Sequence, residues 1–236
     1  MNLLVSTPPL NVFEHMAFDE QTVRLRPSAV TLRFYRWTDG SAVTFGYAQF
    51  LSEVDRALAA QHFVGPRVRR PTGGGLVFHT DDLTFSLVFP SAGRPADIYK
   101  RFHACILGEL ARAGEKGRTF DKTLPASAYA PSVNHTASAC FVNPVENDLL
   151  AEDGHKILGG ALRRFGSCVL YQGSLQLPGA RTNPTYKNAV TEAVRSFLAV
   201  DLRPSRAAAD WLQKARELSS SQYETSAWTE NFDEIL

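Results

Sequence analysis

The stretch RVRRPTGGGLVFHTDDLTFSLVF (67–89) decides the reading of the fold. RVRR (67–70), LVFH (76–79) and LTFSLVF (83–89) are rich in β-branched, aromatic and apolar residues, and polar or glycine segments separate them. They read as three strands joined by the turn Pro71–Thr72–Gly73–Gly74–Gly75 and the turn Thr80–Asp81–Asp82. Three successive glycines between strands weaken a sheet and cost conformational entropy, so something must require them. A glycine triplet lets an anionic group lie directly on backbone N–H groups. Arg69 and Arg70 stand ahead of it and can bring a guanidinium to a carboxylate or phosphate. The same residues also fit a flexible or tightly bent hairpin with surface arginines, and the glycine run alone favours that reading.

Upstream, NVFEHMAFDEQTVRLR (11–26) places Val12, Met16 and Val23 at helical spacing behind a possible cap, Asn11. TLRFYRW (31–37) and SAVTFGYAQ (41–49), separated by Asp39–Gly40, give a hairpin or strand–loop–strand signal. SEVDRALAAQ (52–61) reads as a short helix capped by Ser52. Downstream, residues 97–115 carry Ile98, Phe102, Ile106, Leu110 and Ala113 at spacings of three and four, opened by Asp97 and closed by Gly114. Residues 121–137 are polar, contain Pro125 and Pro131, and read as a loop. A second β-rich stretch covers 138–178, and helices are expected over 184–199 and 205–219. Strand-rich halves flanked by helices predict one α+β domain over residues 1–236, with a mixed or antiparallel β-sheet.

Composition narrows the class of function. A chain of 236 residues with 44% hydrophobic content can bury a large core without staples, which excludes a disordered chain. Lys and Arg number 25 against 24 Asp and Glu, and a net charge of +1 argues against a general nucleic-acid binder. Cys105, Cys140 and Cys168 form no CxxC pair, so neither a disulfide framework nor a structural zinc is expected. The start MNLLVSTPPLNVFEHMAFDE lacks the pattern of a signal peptide, and no stretch is apolar enough for a membrane span. The expectation is a soluble, cytoplasmic protein with no membrane and no nucleic-acid partner.

Two further features carry chemistry. In GHKILGGALRR (154–164), Lys156 leads a short apolar strand into Gly159–Gly160. A lysine facing a glycine-lined pocket can neutralise an acyl or phosphoryl oxygen as charge develops there, whereas an isolated lysine after a turn is more often solvated. In SACF (138–141), Cys140 is a nucleophile if a nearby cation favours its thiolate, and otherwise a buried inert thiol, the role expected for Cys105 and Cys168.

Taken in order, these blocks give the chain a specific likeness. MAFDE (16–20), LRFYRW (32–37), VTFGYAQ (43–49), RRPTGGGLVFHTDDLTFSL (69–87), SACFVNPVENDLL (138–150), HKILGGALRR (155–164), YQGSLQL (171–177) and YETSAW (223–228) span nearly the whole sequence. It resembles the lipoate–protein ligase and octanoyltransferase family, whose catalytic domain is shared with biotin ligases. That resemblance implies a mixed sheet with helices and a glycine-rich loop cradling the head of an acyl group. Lys156 matches the family's lysine at the acyl carbonyl. Arg70, Gly73, Gly74, Gly75 and His79 match its pocket block, joined by Gly159, Gly160, Ala161 and Gly173. Phe45 and Tyr47 are expected as walls of the acyl tunnel.

The family divides by mechanism. Cysteine-dependent octanoyltransferases take the acyl group from acyl carrier protein onto a cysteine in an ACF-like block, which Ala139–Cys140–Phe141 matches, and need no cofactor. Ligases activate free lipoate with ATP and Mg, and many carry a C-terminal accessory domain, which is not expected here. The implied acceptor is a lipoyl-domain lysine, as in the glycine cleavage carrier protein or 2-oxoacid dehydrogenase acyltransferase subunits. Gly75 stands where the transferases often have Arg, as in ligases. Gly160–Ala161–Leu162 replaces Ser–Ala–Gln, and Gln172–Gly173–Ser174 replaces His–Gly–Ser. The resemblance thus implies transfer through Cys140, with ATP-dependent ligation as the alternative and a non-catalytic acyl- or lipoyl-domain-binding paralogue third. Segments 69–79 and 154–164 are expected side by side, with Lys156 aimed at the glycine loop.

Overall fold

A computed structural model describes residues 1–121 and 144–230. The N-terminal strand β1 (Leu3–Ser6) leads into α1 (Val12–Leu25). Asn11 closes a capping box there: its side chain accepts from the Glu14 amide while the Glu14 carboxylate accepts from the Asn11 amide. Strands β2 (Thr31–Phe34) and β3 (Ala42–Phe45) follow, then α2 (Leu51–Ala60), β4 (Arg67–Arg69), β5 (Val77–His79) and β6 (Leu83–Pro90). Helix α3 (Pro95–Arg112) starts with Pro at its first position and buries Ile98, Phe102, Ile106 and Leu110 on one stripe. After β7 (Gly117–Thr119) come β8 (Leu149–Ala151), β9 (Lys156–Phe165), β10 (Cys168–Leu175), α4 (Pro184–Leu198), β11 (Arg203–Arg206) and α5 (Ala209–Leu218). A π-turn over Ser219–Tyr223 links α5 to α6 (Ser226–Glu230).

Eight strands form a mixed sheet in the order β11-β1-β2-β6-β10-β9-β8-β7, with β1 parallel to both β11 and β2 and the remaining pairs antiparallel. Three more make a small sheet, β4-β3-β5. The two faces of the large sheet separate by strand alternation. Phe85 and Tyr171 meet Phe102 of α3 edge-on, with Phe197 of α4 behind, and form the main core. Their neighbours Ser86 and Gln172 turn the other way and bond Asp19 of α1.

Four local expectations are corrected. β2 and β3 do not make a hairpin: β2 pairs with β1 and β6, β3 with β4 and β5. Asp39, read as a turn residue, instead accepts the Val12 amide at the start of α1, 2.8 Å away. Ser52 is not the cap of α2, which Phe50 precedes without a side-chain cap. Residues 203–206, assigned partly to a helix, pair as an edge strand with β1, a position that tolerates Pro204 because an edge N–H is dispensable. The loop expected over 121–137 lies, apart from Asp121, outside the described residues.

Candidate active site

The glycine loop is built from its carbonyls inward. Gly74 takes φ +86°, a conformation that favours glycine. The Arg70 guanidinium, buried, donates to the Gly73 carbonyl at 2.7 Å, the Gly75 carbonyl at 2.8 Å and the Thr44 hydroxyl at 2.9 Å. Arg69 turns elsewhere, donating to the carbonyls of Tyr47, Gln49, Trp228 and Thr229, while the Trp228 indole N–H returns to the Arg69 carbonyl. Both arginines, expected to meet an external carboxylate or phosphate, thus hold backbone carbonyls and shape the loop. Gly46 completes it: a Cβ there would lie 1.8 Å from the Gly74 carbonyl oxygen, so the chains can pass only if residue 46 has no side chain. Sequence reading missed Gly46; its place between two strand runs was the available signal.

Beneath the loop, on the α1 side of the sheet, is a narrow pocket. Its floor is the β9–β10 backbone at Gly159, Gly160, Ala161 and Gly173, with Ser174 and Thr84 further in. Met16, Tyr35, Val77, Thr44, Arg70 and His79 close it above and behind. Its free volume is about 30 Å3, on the scale of one water molecule. A second, open groove of about 350 Å3 adjoins it, sharing Gly160 and Ala161 and bordered by Gly73, Gly74, Tyr99 and Asn147. The two glycine segments do lie side by side: a Cβ on Gly74 would sit 3.5 Å from the Ala161 Cβ.

The walls differ from expectation. Phe45 is fully buried among Val43, Val54, Leu58 and Leu76, on the α2 side of the small sheet, with the Arg69 guanidinium over its ring. Tyr47 packs between Trp228 and Arg163. Neither lines the pocket; Met16, Tyr35 and Val77 take that place. The sequence pattern marked all these residues as apolar or aromatic, and only the split into two sheets decided which faced inward. Gly160 and Gly173 have a second reason to be glycine. A Cβ on Gly160 would come within 2.2 Å of the Tyr171 hydroxyl, and one on Gly173 within 2.6 Å of the Phe85 ring.

Buried polar networks fix the pocket on two sides. Asp19 accepts from Arg33, Tyr35, Ser86 and Gln172, and the Gln172 carbonyl oxygen accepts from Thr72 at 2.7 Å. Gln172 therefore ties the glycine loop to α1. Burial, and then the Asp19 charge, push the Tyr35 phenol well above its usual range. Burial and the Arg33 charge press His15 well below its own, so the imidazole stacked on Tyr35 is neutral. On the other side, His79 donates from Nδ1 to Asp82, 2.8 Å away, and its Nε2 is 2.9 Å from the Thr44 hydroxyl. Burial alone would raise the Asp82 carboxyl, but His79 and the hydroxyls of Thr84 and Ser174 outweigh it and hold the group below the ordinary carboxylate range.

Lys156 is 1% exposed at its side chain and forms an ion pair with Asp148, which is fully buried, at 2.7 Å. Asp148 also accepts the Tyr99 hydroxyl, and that hydroxyl accepts the Gly160 amide at 3.1 Å. The ammonium expected to aim at the glycine loop thus connects to the pocket rim through a carboxylate and a phenol. Cys140 lies outside the described residues. Cys168 is buried and Cys105 half-buried, and burial raises both thiols above their usual values, as inert packing requires. Among the described residues no group of His, Cys, Asp and Glu is arranged to hold a metal, and no helix is long and apolar enough to cross a membrane.

The family model of the lipoyl protein ligase A/B catalytic domain matches residues 11–196. The octanoyltransferase LipM of Exiguobacterium sp. (strain ATCC BAA-1283 / AT1b) is 32% identical over 186 residues, covering 74% of this chain and 65% of the relative. That of Symbiobacterium thermophilum is 33% identical over 177 residues, 70% of this chain and 61% of the relative. The matched part of this chain therefore spans less than two thirds of each of these relatives. That of Brevibacillus brevis aligns over 95% of this chain and 96% of its own length at 26% identity. Among solved structures, a putative lipoate protein ligase from T. acidophilum with bound lipoic acid superposes with a TM-score of 0.72 at 22% identity, covering 97% of both chains. A second T. acidophilum structure, of a bi-partite lipoate protein ligase and its E2 lipoyl domain, superposes with a TM-score of 0.71 at 21% identity over 97% of this chain and 95% of that one. At these identities the superpositions establish the shared fold.

Proposed function

Since this chain belongs to the lipoyl protein ligase A/B catalytic domain family, we propose that it is an acyltransferase of protein lipoylation, moving an octanoyl or lipoyl group to the acceptor lysine of a lipoyl domain. The observation that carries this reading is the narrow pocket under the arginine-braced glycine loop, opening at Gly160–Ala161 beside the groove. Similarity to octanoyltransferases supports the choice of acyl group. The pocket must widen to admit an acyl chain, and Met16, unbranched and soft, is the wall residue best able to give way.

In this reading Cys140 is the nucleophile. Its thiolate attacks the acyl thioester of acyl carrier protein, the carrier thiol leaves with a proton, and the acyl group rests on Cys140. The neutral amine of the acceptor lysine then attacks the same carbonyl, forms the amide, gives up its proton and returns the thiolate. One thioester is exchanged for another before the amide forms, so no cofactor is required. The Lys156 ammonium stabilises charge developing on the carbonyl oxygen. Acceptors are lipoyl domains such as those of the glycine cleavage carrier protein and 2-oxoacid dehydrogenase complexes, and the reaction is placed in the cytoplasm.

Gly75 and the open groove beside Gly73–Gly74 favour a second reading, ligation of free lipoate with ATP and Mg. Incubation with octanoyl–acyl carrier protein alone is expected to leave one hydroxylamine-sensitive octanoyl group on Cys140. Adding an apo lipoyl domain should move that group to the acceptor lysine. Full activity of Cys140→Ala with lipoate and ATP, and none with the acylated carrier, would establish ligation instead. In either case Lys156→Ala should lower kcat by about 10²–10³, the cost of one oxyanion-stabilising donor.

A further inference from the structure

A buried ammonium–carboxylate pair is costly. Desolvating both ions offsets much of their attraction, and an apolar pair of similar size often serves stability as well or better. Lys156 and Asp148 are nonetheless buried together. Asp148 is itself held from two sides: Oδ2, which meets the lysine, also accepts the Val145 amide at 2.7 Å, and Oδ1 accepts the Tyr99 hydroxyl. Tyr99 comes from α3, on another element altogether. Its oxygen donates its proton to Asp148 and accepts the Gly160 amide, so one phenol joins the lysine's counter-ion to the strand that rims the pocket.

The Tyr99 ring is fixed independently of its hydroxyl. It lies 3.9 Å, centroid to centroid, from the His103 imidazole. The Asn147 carbonyl can only accept, so His103 donates to it from Nδ1 and accepts the Tyr171 hydroxyl at Nε2. The phenol oxygen therefore reaches Asp148 and Gly160 from a ring whose place is set by packing.

We propose that Tyr99 is a positioning residue: through Asp148 and the Gly160 amide it fixes the Lys156 ammonium relative to the pocket rim. What the lysine does there rests on the acyl-transfer reading; the placement itself does not. In Tyr99→Phe the ring and its stacking stay and only the hydroxyl goes. With octanoyl–acyl carrier protein as donor and an apo lipoyl domain as acceptor, kcat should fall about tenfold, the scale of one hydrogen bond to a charged group, with KM for both partners nearly unchanged. Asp148→Asn should cost more, and adding Tyr99→Phe to it should cost little further, because both act along one path. The control Tyr186→Phe removes a hydroxyl bonded to Glu115 and should leave kcat alone.

A readout independent of turnover is the acetylation of Lys156 by acetic anhydride, followed by mass spectrometry on the full chain. Labelling should rise several-fold in Tyr99→Phe as the ammonium is released. Unchanged labelling overturns the proposal even if the wild-type protein transfers nothing, an outcome that counts separately against the transfer reading. Unchanged kcat, additive loss in the double variant, or a loss matched by a lower melting temperature would each overturn it as well.

Discussion

The loop glycines border the open groove, Gly173 the narrow pocket and Gly160 both, and they are glycines for different physical reasons. At Gly74 the constraint is conformational, a positive φ in a loop whose carbonyls Arg70 gathers. At Gly160 and Gly173 the backbone is ordinary extended strand, and the constraint comes from the opposite face of the sheet, where Tyr171 and Phe85 occupy the space a Cβ would need. The pocket is therefore the junction of a hydrogen-bonded loop and an aromatic core. Its rim is only as firm as the packing of α3 behind it.

The two regions should fail differently. The largest effect is expected at Gly46→Ala, because its Cβ would meet the Gly74 carbonyl at 1.8 Å and backbone must move. A loss above about 3 kcal/mol in urea unfolding, beyond the usual overpacking range, should accompany loss of activity. Gly160→Ala and Gly173→Ala press on buried rings, and each should cost about 1–3 kcal/mol. These two should also perturb the near-ultraviolet signal of the aromatic core, which a loop substitution should leave intact.

Acid provides a third discrimination. Burial holds the His103 imidazole down to about 3, against an ordinary value of 6.5, with the Asn147 carbonyl opposing the shift. The unfolded chain binds this proton more readily, so the stability from neutral His103 is complete above pH 6.5 and falls as pH drops towards 3. The slope from this group approaches 1.4 kcal/mol per pH unit. Hydrogen exchange should show α3 and β10 loosening in that window, and His103→Gln should flatten the dependence. An unchanged slope in the variant would mean that other groups dominate. The smallest effect is Gly74→Ala, a strained positive φ with tolerable neighbours, Arg70 Nη2 at 3.3 Å and Ala161 Cβ at 3.5 Å. It should cost about 1 kcal/mol and move activity more than stability.

Much of this arrangement was legible before the fold. The Asn11 cap, the α3 stripe and the strands on both sides of the glycine triplet follow from spacing and local chemistry. Long-range choices were not legible. Asp39–Gly40 carries a turn signal, yet the Asp39 side chain caps a helix 27 residues earlier, and β2 and β3 part into different sheets. That parting sends Phe45 to the α2 side and brings Tyr35 to the pocket. Nor could spacing show that Arg69 and Arg70, neighbours in sequence, would hold different segments.

Arg69 has one more consequence, concerning synthesis. Two of the four carbonyls it binds belong to residues 159 and 160 positions downstream, and the Trp228 indole returns the bond. During translation the strand leading into the glycine loop emerges early, while half of its brace is still unmade. Until residue 229 has left the ribosome, the guanidinium lacks the carbonyls of Trp228 and Thr229. Until then Arg69 holds only the carbonyls of Tyr47 and Gln49, and the full seating of this strand is expected to arrive late, with α6.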